Sequence, residues 1–141
     1  MPSDDKLKED VRLELNEDER LDSLNIKIDA LSGHVMLRGS VPTYYQKRIA
    51  EQDTRNSVGV GWVTNLLSVN AAWREDNAIR DDVEFEISTD YALSPDDISV
   101  RVRNGLVTLS GHVNNFYQKA HAADVASRVL GVREVIDQIK F

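Results

Sequence analysis

The segment from Asn104 to Val113, NGLVTLSGHV, carries the clearest structural information in this chain. Its Asn-Gly pair readily takes the positive φ angles of a tight hairpin turn. After the turn, apolar residues alternate with polar ones, which is the period of a half-buried strand. The preceding run Ile98–Val102 alternates in the same way, so the two runs predict a β-hairpin. Gly111 falls on the inward face, where we expect a close neighbour, most simply a helix backbone.

The hairpin segment has a counterpart 72 residues earlier, where Gly39 takes the place of Gly111. The same offset aligns the rest of the chain without a gap. The matched pairs include Asp10 and Asp82, Leu21 and Leu93, Gly33 and Gly105, Tyr45 and Tyr117, Ala50 and Ala122, Gly59 and Gly131, and Val63 and Val135. Agreement at glycines and apolar positions in one register indicates an internal duplication.

A helical pattern precedes the hairpin in each copy. In the second copy, the segment Asn77–Asp90 carries apolar residues at four-residue spacing, which predicts an amphipathic helix. The first copy has the same spacing with charged residues on the other faces. The two apolar stripes are Ile79, Val83 and Ile87, and Leu7, Val11 and Leu15.

A second helix is predicted after the hairpin, from about Tyr117 to Leu130. Gly131 suits the positive φ that often follows a helix end, and Val135–Phe141 forms the last strand. The apolar stripe of this helix is Ala122, Val125, Ala126 and Val129. The first copy has Ala50, Asp53, Thr54 and Ser57 in the same places. A buried Asp53 is costly without a partner, so this helix is either rotated or loosely docked.

The predicted fold class is α+β, with two tandem copies of a small helix–strand–strand–helix–strand module. Two helices on one face of a three-stranded mixed sheet are the simplest way to bury these stripes. The predicted boundaries are residues 1–70 for the first domain, 71–75 for a linker and 76–141 for the second domain. Each core is small, so we expect modest stability unless the copies support one another.

Composition narrows the function. The chain has a net charge of −7 and no cysteine, which argues against nucleic-acid binding and excludes disulfides and cysteine-ligated metals. No apolar run approaches the length of a transmembrane helix. The start of the sequence has no apolar core of a signal peptide. We therefore expect a cytoplasmic protein if Met1 is the native start, and a periplasmic one if a signal peptide has been removed.

The order of motifs resembles the BON domain, a family named for bacterial osmotically inducible periplasmic and nodulation-related proteins. The motifs lie at Asp82-Val83, Ile98–Val100, Asn104–Val113, Ala122, and Gly131-Val132 with Val135 and Asp137. Their counterparts are Asp10-Val11, Ile26–Ile28, Gly33–Val41, Ala50, and Gly59-Val60 with Val63 and Asn65. The resemblance implies a non-enzymatic bacterial module of the envelope, associated with osmotic stress and phospholipid surfaces. The alternative is a protein-interaction or chaperone-like stress protein without lipid binding.

The start of each second helix is the candidate binding corner. Tyr44 and Phe116 are aromatic residues that we expect to be exposed, whereas the following Tyr45 and Tyr117 are expected to close the core. The exposed aromatic rings suit a lipid interface. The accompanying basic side chains suit acidic head groups and are Lys47, Arg48 and Lys119.

Two tryptophans lack a counterpart in the other copy. Trp62 precedes the last strand of the first copy and Trp73 lies in the linker. A linker tryptophan favours a contact between domains, and contact with a partner or lipid is the alternative. The chain shows no nucleophile motif and no metal-ligand spacing among its three histidines, so we predict no catalytic residue, no cofactor and no metal site. The sequence leaves the oligomeric state open.

Overall fold

The computed structural model describes residues 3–70 and 72–141 and confirms the α+β class. The chain divides after Asn70 into two compact units, called copy one and copy two below. Copy one contains α1 (Asp4–Glu17), β1 (Ile26–Leu31), β2 (His34–Val41), α2 (Tyr44–Arg55), β3 (Trp62–Asn65) and β4 (Ser68–Val69). Copy two contains α3 (Asp76–Ser88), a short 3-10 turn (Pro95–Asp97), β5 (Ile98–Arg103), β6 (Leu106–His112), α4 (Phe116–Ser127) and β7 (Glu134–Lys140).

Each sheet is mixed, with the second strand of the hairpin in the centre. In copy two, β6 pairs antiparallel with β5 and parallel with β7. Copy one repeats this order, but its last strand is interrupted between β3 and β4, which both pair parallel with β2. At the interruption, the Asn65 side chain accepts a hydrogen bond from the Leu67 amide and donates one to the Lys47 carbonyl. Asn65 therefore joins the last strand to α2.

The hairpin turns have the predicted conformation. Asn104 and Gly105 have φ angles of 52° and 80°, and the Ser32-Gly33 turn of copy one is similar. Asp76, the first residue of α3, accepts hydrogen bonds from the amides of both turn residues in copy two, at 2.9 and 3.2 Å. Each hairpin is thus fastened to the start of the preceding helix, because Asp4 binds the Ser32 amide in the same way.

The helices cover one face of each sheet, as predicted. The predicted stripes of α1 and α3 are fully buried, and these helices pack on β1 and β5, the first strands of the hairpins. The inward residues of the central strands are buried as well, and they are Val35, Leu37 and Val41 in copy one and Val107, Leu109 and Val113 in copy two. Within residues 3–70 and 72–141, the outer face of each sheet carries no helix of its own copy, because both helices of the copy pack on the inward face.

The close neighbour of Gly111 is a backbone carbonyl at the entrance to β5, and not the helix backbone that we expected. A Cβ atom on Gly111 would lie 2.0 Å from the Asp97 oxygen, and the residue has a φ of +126°. Gly39 has the same relation to the Asn25 oxygen, at 1.9 Å, with a φ of +109°. The approach is close because Gly39 and Gly111 pair with the first residues of β1 and β5, so the carbonyl just before each strand faces the glycine.

Helix α2 is docked, with its buried stripe shifted toward Ile49. Ile49, Ala50 and Thr54 are buried, and the Thr54 hydroxyl donates to the Ala50 carbonyl at 2.7 Å. Asp53 is thereby moved from the centre of the stripe to its edge, where its side chain keeps 13% of its exposure and lies 3.8 Å from the Arg20 guanidinium. The structure therefore supports rotation of the stripe over loose docking.

Candidate functional site

The strongest candidate site lies where α4 begins in copy two. The Asn115 side chain accepts a hydrogen bond from the Gln118 amide at 2.9 Å and caps the helix. The cap fixes Phe116 and Tyr117 in the first turn, where side chains project from the module. Their exposed fractions are 63% and 65%. The exposure of Phe116 matches the prediction, whereas the prediction that Tyr117 closes the core is wrong.

Two further exposed aromatic residues belong to segments that contact α4. Phe141, which follows β7, packs edge-to-face on Phe116 with ring centroids 5.8 Å apart and remains 62% exposed. Tyr91, in the loop after α3, is fully exposed. The Gln118 side chain binds the Ala92 carbonyl at 3.0 Å and so ties that loop to α4. We call Tyr91, Phe116, Tyr117 and Phe141 the aromatic rim.

A polar contact underlies the rim. The Tyr117 ring stacks on His121 at 5.5 Å, and His121 Nε2 lies 2.6 Å from the Asp90 carboxylate. The Ala92 backbone amide and then His121 hold the pKa of Asp90 below its ordinary value. Asp90 therefore stays ionised at neutral pH and orients the imidazole on which Tyr117 rests.

Lys119 points its charge into the module. Its ammonium lies 3.1 Å from the Asp137 carboxylate and 2.5 Å from the Ile139 carbonyl, and the lysine side chain is only 22% exposed. These oxygens accept the hydrogen bonds of the Lys119 ammonium that a lipid head group would otherwise accept. Lys119 therefore joins α4 to β7, in the way that Asn65 joins the last strand of copy one to α2.

We expect Lys119→Met to lower the free energy of unfolding of copy two by about 1–3 kcal/mol, because Asp137 loses a charge-assisted partner in a half-buried place. Urea unfolding measures this loss. Lys140→Met is the matched control, since Lys140 is an exposed lysine at the end of β7, the strand that carries Asp137. Equal stability of the two variants would contradict a structural role for Lys119.

The corresponding corner of copy one is less exposed. Tyr44, Tyr45, Lys47 and Arg48 are all half-buried, so Tyr44 is less exposed than predicted. Thr43 caps α2 as Asn115 caps α4. The positions that match Tyr91 and Phe141 carry Glu19 and Val69, so this corner lacks two of the four aromatic rings.

Trp73 belongs to a different part of copy two. It is 77% exposed and borders a shallow cavity of about 450 Å³ together with Arg133. The next residue, Arg74, donates to the Leu130 carbonyl at 2.7 Å and pairs with Asp82. Leu130 follows the end of α4, whereas Phe116 begins that helix, so about 18 Å of helix separates the two places. Trp73 and Phe116 do not form one site.

Local sequence patterns do not identify Tyr91 and Phe141 as site residues. Tyr91 lies in a loop without periodicity, and the strand pattern accounts for Phe141 only as the end of a strand. A comparison of the two copies would have found both, because each aromatic residue replaces a non-aromatic one at the matched position of copy one.

The family model of the BON domain matches residues 3–71 and 75–141. The chain belongs to the BON domain family. It is similar to the outer membrane lipoprotein DolP of Haemophilus influenzae, with 32% identity over 122 residues, 82% of this chain and 63% of the relative. The chain thus spans less than two thirds of the length of this curated relative.

Two solved structures of CdsD, a structural protein of the type III secretion system of Chlamydia trachomatis, are also similar to this chain. The C-terminal domain of CdsD matches 99% of the chain and 67% of that domain, with 13% identity and a TM-score of 0.41. A second CdsD structure matches 94% of the chain and 90% of its own length, with 12% identity and a TM-score of 0.35.

In the described ranges 3–70 and 72–141, no helix is both long and apolar enough to span a bilayer. Over the same ranges, no three His, Cys, Asp or Glu side chains come together as a metal site would require.

Proposed function

We propose that this chain is a non-catalytic, envelope-associated module that binds phospholipid surfaces through the aromatic rim of copy two. The rim is the observation that carries the proposal, since it exposes four aromatic rings in one corner. Membership of the BON family and similarity to an outer membrane lipoprotein support an envelope role. A role in protection against osmotic stress is part of the same proposal.

Aromatic insertion, and not charge, drives this binding. Copy two carries eight basic and twelve acidic residues, and Lys119 forms an ion pair with Asp137. Burial of one phenylalanine ring contributes about 1.5–3 kcal/mol when it is complete. Lys140, exposed beside Phe141, adds about 1 kcal/mol at an anionic surface. We therefore expect binding to neutral vesicles, with a preference of about fivefold for anionic ones.

Flotation with phosphatidylcholine vesicles, with and without phosphatidylglycerol, tests the proposal. The double substitution Phe116→Ser and Phe141→Ser is expected to lower vesicle partitioning at least about tenfold, because both rings leave the interface. Leu24→Ser is the matched control, since Leu24 is an apolar residue of copy one that is 91% exposed. The proposal fails if the parent chain does not float with either vesicle, or if the double variant floats as well as the parent.

A further inference from the structure

A second exposed surface lies on the outer face of the copy-one sheet, away from both of its helices. Strand register places Leu31 beside His34 on β2, and His34 beside Trp62 on β3. Leu31 and Trp62 are 69% and 58% exposed. We call Leu31, His34 and Trp62 the open row. It crosses the whole width of the sheet and is apolar at both ends.

The open row is held in place by specific contacts. The Trp62 ring stacks on His34 with centroids 4.8 Å apart and planes inclined by 20°. The His34 ring lies 2.7 Å from the Thr64 hydroxyl, which fixes the imidazole under the indole. The indole therefore has one packed face and one open face. Its open face is a preformed binding site for a single apolar side chain.

The same face is basic at its other end. Lys27 and Arg38 are paired across β1 and β2, and both are exposed. In the described part of the chain, neither forms an ion pair. Arg38 lies four residues beyond His34 along β2, so about 13 Å separates the basic pair from the open row. One acidic residue, Asp29, lies between them on the edge strand.

Copy two provides an internal comparison. Its residues at the places of the open row are Arg103, Leu106 and Glu134, which bring opposite charges to the ends. The basic pair is replaced by Ser99 and Ser110. The combination of an apolar row and a basic pair is thus confined to copy one, although both copies have the same fold. Folding alone does not require it.

We propose that this face of copy one binds an extended acidic peptide segment of a partner protein, which places an apolar side chain on Trp62 and a carboxylate at Lys27 and Arg38. Trp62 lies one strand to the side of His34, so about 14 Å separates it from Arg38, a distance that an extended peptide spans with about four residues. The net charge of the chain, −7, repels acidic peptides. The basic pair therefore supplies the local attraction that such a segment needs.

The size of the face favours a peptide over a second copy of the chain. Three strands about 4.8 Å apart and about five residues long cover about 250 Å². A stable pair of globular proteins needs about 800 Å² from each partner. A single extended segment fits the smaller area, with one apolar anchor and one charged contact.

Fluorescence anisotropy of labelled synthetic peptides with the full chain tests this inference. The probe is a Ser/Gly peptide with one leucine and one glutamate four residues apart. Replacement of its glutamate by lysine, or movement of the glutamate to two residues from the leucine, is expected to weaken binding at least about tenfold. Equal binding of the glutamate and lysine peptides would overturn the proposal.

Substitutions that introduce the matching copy-two residues test where the peptide binds. Trp62→Glu and Leu31→Arg are each expected to weaken binding of the glutamate peptide at least about tenfold. Lys27→Ser with Arg38→Ser is expected to abolish the difference between the glutamate and lysine peptides. Trp73→Glu is the matched control, because Trp73 is an exposed tryptophan outside this face. Circular dichroism shows whether each variant folds. If Trp62→Glu does not fold, Leu31→Arg provides the test.

Three results would refute the location or the ligand. One is unchanged peptide affinity in both Trp62→Glu and Leu31→Arg. Another is loss of vesicle flotation on Trp62→Glu without any peptide binding, which would make the face a lipid surface. The third is loss of peptide binding on Phe116→Ser with Phe141→Ser. The aromatic rim and the open row lie in different copies. Flotation therefore tests the lipid proposal, and peptide binding tests the present inference independently of it.

Discussion

Gly39→Ala is expected to lower the free energy of unfolding of copy one by about 3 kcal/mol or more, a large part of the stability of a module of this size. The added methyl group would lie 1.9 Å from the Asn25 carbonyl oxygen, far inside van der Waals contact. The backbone φ of +109° is also strained for alanine. Relief requires movement of the segment that leads into β1, and the Ser40 amide donates a hydrogen bond to that same carbonyl.

Gly61→Ala is the matched control in the same copy. A Cβ atom there would lie 3.4 Å from the Gly33 oxygen, which is an ordinary contact. We expect its stability to remain within about 1 kcal/mol of the parent chain. Urea unfolding followed by Trp62 fluorescence, in a Trp73→Phe background, reports on copy one. Similar stability of the two alanine variants would show that the close approach to Asn25 does not require glycine.

The second large effect concerns pH. Asp53 and Asp18 form a carboxyl pair at the edge of the copy-one core, with side chains 13% and 11% exposed. Burial, and then the hydrogen bond and charge of Asp18, raise the pKa of Asp53 to about 7. The Arg20 guanidinium, 2.7 Å from Asp18, holds the pKa of Asp18 below its ordinary value. The raised pKa of Asp53 therefore keeps one proton on the pair up to about pH 7.

The two carboxyl groups contribute to stability with opposite signs. Because the folded pKa of Asp53 is raised, folding retains a proton that the unfolded chain releases, and the free energy of unfolding falls as the pH rises from about 4 to 7. Because the folded pKa of Asp18 is lowered, its contribution is present above about pH 4 and is lost in more acidic solution. Together they give the pair its greatest stabilisation near pH 4.

Asp53→Asn is expected to remove the decline between pH 4 and 7 and to make copy one about 1–3 kcal/mol more stable than the parent at pH 8. The amide can donate to Asp18 without carrying a charge. Urea unfolding at several pH values measures the difference. Glu51→Gln is the control on the same helix, since Glu51 pairs with Arg55 at the surface and its loss costs a few tenths of a kcal/mol. A pH decline that persists in Asp53→Asn would exclude this carboxyl as its source.

The pair also explains why α2 could not be placed from the sequence. Helical periodicity put Asp53 on the buried stripe, and periodicity does not tell a rotated helix from a loose one. The outcome depended on Ile49, on Thr54 bonding its own helix, and on Arg20, which lies in a loop before the hairpin. Of these contacts, the one between Arg20 and Asp53 joins residues that are far apart in the chain.

Local patterns were enough for the duplication, the order of elements and the hairpin turns. The Asn104-Gly105 turn and the four-residue spacing in α3 depend on backbone preferences and on burial of one face, which a short stretch of sequence expresses. The BON resemblance rested on the same glycines and apolar positions. Its motifs therefore specified the fold better than any binding site.

The binding surfaces followed from packing between distant segments. Lys119 turned inward because β7 brought Asp137 beside it, and Tyr117 stacks on His121, which contacts Asp90 in the loop after α3. The open row exists because β3 brings Trp62 beside His34, which the hairpin pairs with Leu31. Strand register and helix rotation are set by the core as a whole, so the side chains that meet at the surface become known only when the chain is folded.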